Sequence, residues 1–174
     1  MKNPSAGRPD GSGLRVLVLR SAFNAHVVEG LAQGSLRELR ELGTGSAGVE
    51  SLEVPGAFEL PLAARAAAES GRYDAIVALG AVIRGDTDHY EHVARESAAG
   101  LARVALDSGV PIAFGVLTVQ KEEQALARSR PGPANKGAEA VRAAVAMVHV
   151  LRALRGRPRR RRGARPPARR RSRR

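Results

Sequence analysis

The alternation of apolar runs with helical patterns predicts an α/β protein in three layers, a four-stranded parallel sheet flanked by helices. Two observations carry this. Strand-like and helix-like segments follow one another in turn, and the strand-like runs are almost wholly apolar, as strands covered on both faces must be. With 174 residues, 43% of them apolar, the chain has the material for one buried core.

Residues 1–13 are rich in Gly, Pro, Ser and Asn and are expected to be disordered or weakly held. Residues 14–19 (LRVLVL) read as the first strand. Val27, Val28, Leu31, Leu36, Leu39 and Leu42 then recur at helical spacing over residues 25–42, stopped by Gly43. A short strand at residues 49–54, a turn at Pro55-Gly56 and an alanine-rich helix over about residues 59–70 repeat the unit. The apolar run 75–83 is the third strand, and a glycine-containing loop leads to a helix over about residues 89–108 with Val93, Leu101 and Val104 on one stripe. Thr87 or Asp88 is its expected N-cap, with Glu91 closing a capping box on Asp88. The fourth strand, residues 111–117, is followed by a short helix at about 122–128, a Pro/Gly loop and a last helix over about 137–154. Val141, Val145, Val148, Leu151 and Leu154 are that helix's expected buried face.

The chain has no cysteine, which excludes disulfides, thiolate zinc sites and a thiol nucleophile, and its four histidines are scattered, so no metal site is expected. No segment has the apolar core of a signal peptide or the length to span a bilayer, so a cytoplasmic protein without membrane contact is expected. The net charge of +12 is not spread along the chain: the 12 arginines within residues 155–174 account for the whole excess of 29 basic over 17 acidic side chains. Residues 155–174 are accordingly read as a disordered arginine-rich tail. One rival reading of function follows, non-specific polyanion or nucleic-acid binding through this tail, with the α/β body as scaffold. A functionally neutral extension is the other reading of the same segment.

Parallel sheets place ligands beyond the carboxyl ends of their strands, here residues 20–24, 55–59, 81–89 and 118 onward. Gly80 to His89 run from the third strand into a helix start, where free backbone N–H groups suit a phosphate, although the same pattern serves an ordinary connection. His89 is placed to move protons or to cap that helix. His92 shares its helix face without an assured carboxylate partner, and His26 and His149 read as surface helix residues. Phe23 and Phe58 follow strand ends and can stack on a planar ring or pack in the core. Glu59 can accept bonds from sugar-like hydroxyls or cap its helix. Arg128 and Lys136 can supply charge to a phosphate or remain solvated at the surface. No Walker-type loop or dinucleotide glycine fingerprint occurs.

Six motifs stand in this order: Ser21-Ala22-Phe23-Asn24; Val54-Pro55-Gly56-Ala57-Phe58-Glu59-Leu60-Pro61; Gly80-Ala81-Val82-Ile83-Arg84-Gly85 with Thr87 and His89; Phe114-Gly115-Val116-Leu117-Thr118; Glu123-Gln124-Ala125; and Asn135-Lys136-Gly137-Ala138-Glu139-Ala140. Together they resemble the lumazine synthase family over residues 14–154. The resemblance implies a flavodoxin-like sheet and condensation of 5-amino-6-(D-ribitylamino)uracil with 3,4-dihydroxy-2-butanone 4-phosphate to 6,7-dimethyl-8-ribityllumazine, phosphate and water, with no cofactor. It implies that Phe23 stacks on the pyrimidine, Ala57, Phe58 and Glu59 hold the ribityl chain, and Val82 and Ile83 offer backbone bonds to the ring. Gly85, Asp86 and Thr87 would cradle the phosphate through their backbone, and His89 would transfer protons. Phe114, Arg128 and Lys136 would come from the adjacent subunit of a pentamer, Arg128 as the phosphate's cation. The turn at residues 129–134 carries no evident insertion, which the resemblance links to a closed sixty-subunit shell. Two stretches depart from the family pattern: Ala22 stands where Arg is frequent, and Val119-Gln120-Lys121 replaces a Thr/Asp-rich stretch.

Overall fold

A computed structural model describes residues 7–156 of the chain. Its elements are β1 (Val16–Ser21), α1 (Ala25–Glu41), β2 (Val49–Val54), α2 (Leu60–Glu69), β3 (Ala75–Ile83), α3 (His89–Ser108), β4 (Ile112–Val119), α4 (Glu122–Ser129) and α5 (Lys136–Arg155). All strand pairs are parallel, in the order β2-β1-β3-β4. That is the flavodoxin-like order, with its reversal of winding between β1 and β3.

Alternation along the strands sorts side chains onto two cores. Val16 and Val18 of β1 and Val77 and Leu79 of β3 face a cluster closed by Val27 and Leu31 of α1, Ala125 of α4 and Val141 and Val145 of α5. Leu17, Leu19, Ile76 and Ala78 face the opposite cluster, closed by Leu60 and Ala64 of α2 and Leu101 of α3. Helices on both faces of one parallel sheet are the three layers expected from the sequence.

Several boundaries and contacts differ from the sequence expectation. Leu14 is buried, but pairing begins only at Val16, opposite Val49 and Ala75, so the first apolar run enters the core before it enters the sheet. β4 continues to Val119, which pairs with Ile83. On α5 the buried face ends with Val148, and Leu154 is 61% exposed. The expected weak N-terminal segment is held from Arg8 onward. Arg8 pairs with Glu38 at 3.2 Å and with Glu41, Gly11 N–H donates to Leu42 O at 2.7 Å, and His149 Nε2 meets Asp10 O at 2.6 Å. Glu38, nearly buried, needs such partners, and Arg142 supplies the other at 2.9 Å. The arginine-rich tail lies outside the described residues from residue 157 on.

Candidate active site

A cavity of about 620 Å³ opens at the carboxyl ends of β1, β2 and β3. Phe23 lines it from the loop after β1. Ala57, Phe58 and Glu59 line it from the 3₁₀ turn Ala57–Glu59 that leads into α2. Val82, Ile83, Gly85 and Thr87 come from the end of β3 and its loop, and His89 from the first residue of α3. Phe23 is 71% exposed and Phe58 57%, although the chain has few aromatics to spare for its core, so these rings are presented to solvent.

The rim is tied loop to loop. Ala22 N–H donates to Val54 O at 2.8 Å and Phe23 N–H to Pro55 O at 3.2 Å, joining the loops after β1 and β2. Asn24 Nδ2 donates to Ala81 O at 2.8 Å, joining the β1 loop to β3. Asn24 takes φ 57°, the only non-glycine among the described residues in the left-handed region, which asparagine tolerates better than most side chains. The register leaves backbone free at this point: β1 pairs with β3 only as far as Arg20 opposite Leu79, whereas β3 runs on to Ile83. Among the described residues the β1-side edge of β3 beyond Leu79 therefore has no strand partner, and it borders the cavity where Val82 and Ile83 line it.

Two side chains expected as possible caps are not used so. Glu59 holds the N-cap position of α2 without a side-chain cap bond. Asp88 holds that of α3 in right-handed helical conformation, also without one, so the capping box with Glu91 is absent. Glu91 instead lies 3.6 Å from Arg84, whose guanidinium sits 5.8 Å from the centre of the Tyr90 ring. Among the described residues no lysine or arginine lines this cavity.

The cations line a second cavity, of about 490 Å³, along the edge strand β4 between α4 and α5. Phe114, 45% exposed, Arg128 and Lys136 line it, with Thr118 and Glu139. Arg128 donates to Gln124 O at 2.9 Å and Lys136 pairs with Glu139, both at the surface. The two cavities share no lining residue, so within one chain His89 and Arg128 belong to different sites. The departure at Val119-Gln120-Lys121 is structurally fixed, because Gln124 Oε1 accepts the amides of Gln120 and Lys121 at 2.9 and 3.2 Å.

The family model for 6,7-dimethyl-8-ribityllumazine synthase matches residues 13–152. The chain belongs to the lumazine synthase family. A relative from Paraburkholderia phymatum is 48% identical over 145 residues, 83% of this chain and 82% of the relative. One from Edwardsiella ictaluri is 50% identical over 141 residues, 80% and 90% of the two chains, and one from an Azoarcus species 46% over 145 residues, 83% and 90%. Each is named 6,7-dimethyl-8-ribityllumazine synthase.

Of the residues singled out in the sequence, Phe23, Ala57, Phe58, Glu59, Val82 and Ile83 meet in the first cavity with Gly85, Thr87 and His89. Asp86 is exposed and lines neither cavity. Phe114, Arg128 and Lys136 meet in the second. Tyr90, to which sequence reasoning assigned no part, lines the first cavity as well, and so do His92, expected to share the face of His89 at i+3, and Val93, expected on the helix's buried stripe. Among the described residues no group of three or more His, Cys, Asp or Glu is placed to hold a metal, and no helix is long and apolar enough to cross a membrane.

Proposed function

We propose that this chain condenses 5-amino-6-(D-ribitylamino)uracil with 3,4-dihydroxy-2-butanone 4-phosphate to 6,7-dimethyl-8-ribityllumazine, releasing phosphate and water, at sites formed between neighbouring subunits. The observation that carries the reading is the division of one chemical inventory between two cavities. Among the described residues the first has rings, hydroxyl acceptors, strand backbone and the imidazoles of His89 and His92 but no lysine or arginine; the second has a ring and two cations but no imidazole. A dianionic phosphate at Gly85 and Thr87 needs a cation, and Arg84, the nearest in sequence, is directed to Glu91 and Tyr90. Arg128 of an adjacent copy fills that need.

In this arrangement Phe23 stacks on the pyrimidine, Ala57, Phe58 and Glu59 hold the ribityl chain, and the backbone of Val82 and Ile83 bonds the ring's polar edge. The 5-amino group attacks the ketone, the carbinolamine loses water to an imine, phosphate leaves by elimination, and the ribitylamino nitrogen closes the new ring with loss of water. His89 moves protons between these steps, and Phe114 and Lys136 close the pyrimidine side from the adjacent subunit. Gly85, Asp86 and Thr87 hold the departing phosphate by backbone N–H groups and Arg128 neutralises it. Most of the acceleration comes from holding two reactants in register.

Exposed apolar side chains flank the halves: Phe58 and Leu62 on one side, Leu106, Phe114 and Met147 on the other. Head-to-tail contact between copies would cover them and can close as a ring; the family resemblance makes that ring a pentamer and links the uninterrupted turn between α4 and α5 to a sixty-subunit shell. The test is an assay with both substrates, following the lumazine product by absorbance and fluorescence, with light scattering on the same sample. Product from an assembled protein is the expected result. An assembled protein that forms none refutes the catalytic reading, and monomers with full activity refute the shared site.

A further inference from the structure

Asn135 is 1% exposed, yet it is a polar residue in a connecting turn. Every polar group of its side chain is engaged. Oδ1 accepts Ala138 N–H at 3.0 Å and so caps α5, while Nδ2 is shared among Ser129 O at 2.7 Å, Gly30 O at 3.0 Å and Arg130 O at 3.1 Å. The cap explains Oδ1 alone. The three carbonyls belong to α1 and to the end of α4, so Nδ2 binds the α4–α5 turn to the opposite helix.

Helix α1 is cut to receive this knot. A β-carbon on Gly30 would stand 2.7 Å from Ser129 O, and one on Gly34 would stand 2.1 Å from Asn135 Oδ1. Glycine is a poor helix former, so its presence twice on the face beneath the turn indicates a close approach that alanine would prevent. Arg128 immediately precedes Ser129 and Lys136 immediately follows Asn135, so the knot fixes the backbone on which both cations of the second cavity stand.

We infer that Asn135 is a positioning residue, whose amide sets Arg128 and Lys136 in register for the phosphate and pyrimidine held by the neighbouring copy. This rests on the proposed function, since it takes those two cations as the substrate-facing ones. A satisfied buried network of this kind is stiff, and losing it leaves three carbonyls to find new partners by moving the turn.

The experiment is a double-mutant cycle on kcat/KM for the keto-phosphate, with melting temperature measured on every variant. Asn135→Ser keeps an oxygen to cap α5 and removes the amide donor. It is expected to lower kcat/KM about tenfold in the otherwise natural chain, the size of one weakened charge-assisted contact. In a chain already carrying Arg128→Ala and Lys136→Ala the same substitution is expected to cost about twofold or less, because nothing remains to be positioned. Gly30→Ala, made on the other side of the contact by the better helix former, is expected to reproduce the defect and serves if Asn135→Ser does not fold. Equal losses in both backgrounds, or a lowered melting temperature with natural kcat/KM, would overturn the inference and leave Asn135 as a helix cap. Natural protein that forms no lumazine overturns the functional reading instead, and that outcome is read before any variant is compared.

Discussion

The two cavities are built by different means. The first is a frame of strand ends: loops after β1, β2 and β3 are bonded to one another through backbone groups and the Asn24 amide, and the residues that line it are mostly apolar or aromatic. The second stands on helices: Arg128 and Lys136 project from the end of α4 and the start of α5, and the turn between them is pinned from beneath by one buried side chain. A frame of strand ends suits recognition of a flat ring and a sugar chain, where shape and backbone donors decide. Charge on helix ends can be offered to a neighbour without disturbing a sheet.

The largest effect follows from the division itself. A chain carrying Phe23→Ala with His89→Ala lacks the first half, and a chain carrying Arg128→Ala lacks the second. Each assembled alone is expected to be strongly impaired. When the two are unfolded, mixed equally and reassembled, about a quarter of the interfaces should join two natural halves and recover activity in that proportion. If mixing restores nothing while both variants still assemble, the halves do not complement across subunits.

Next in size is the contrast between single losses. Arg128→Ala is expected to raise KM for the keto-phosphate about 10- to 100-fold, as loss of a charge-assisted contact to phosphate should. His89→Ala is expected to lower kcat by tens-fold or less, because acid/base help is worth at most ~10² to 10⁴ and positioning survives. Steady-state kinetics in each substrate separate the two. A reversal, with His89 governing KM and Arg128 governing kcat alone, would exchange the roles given to the cavities.

Asn24 tests how far the frame matters. Asn24→Ala loses the bond to Ala81 O and places a β-carbon at φ 57°, whereas Asn24→Gly loses the same bond without that strain. Both are expected to raise KM for the pyrimidine several-fold, roughly the worth of one neutral hydrogen bond. The alanine variant should be less stable than the glycine variant by roughly the 1–2 kcal/mol of the left-handed conformation, read from denaturant unfolding. An unchanged pyrimidine KM in both would show that the loop carrying Phe23 holds its place without the amide.

The first cavity was far more legible in the sequence than the second. Its residues fall in short contiguous motifs at the ends of apolar runs, and a parallel sheet leaves ligands nowhere else to bind. β2, β3 and α3 have the bounds expected of them because their apolar periods begin and end at turn residues. Leu14 misled the reading of β1 because burial and sheet pairing are separate properties, and an apolar residue can have one without the other. Arg128, Lys136 and Phe114 are separated along the chain, and only the family resemblance grouped them. Asn135 carried no signal of its own, since an asparagine before a helix reads as a cap and nothing in the local sequence reveals three carbonyls beneath it.

The smallest expected effect concerns Asp86. Its neighbours Gly85 and Thr87 line the first cavity, but Asp86 is exposed and does not, so its carboxylate is not among the groups that face the proposed phosphate position. If the loop holds phosphate by backbone N–H groups, removing that charge removes a weak repulsion and nothing else. Asp86→Asn is then expected to lower KM for the keto-phosphate by about twofold or less, the scale of an exposed charge interaction. The difference should vanish as ionic strength rises and the Debye length falls below the separation of the charges. Measuring KM at low and high salt checks both statements. A KM that rises severalfold, and stays raised in salt, would mean that the carboxylate shapes the loop. The phosphate side of the frame would then depend on a side chain, as the second cavity does on Asn135.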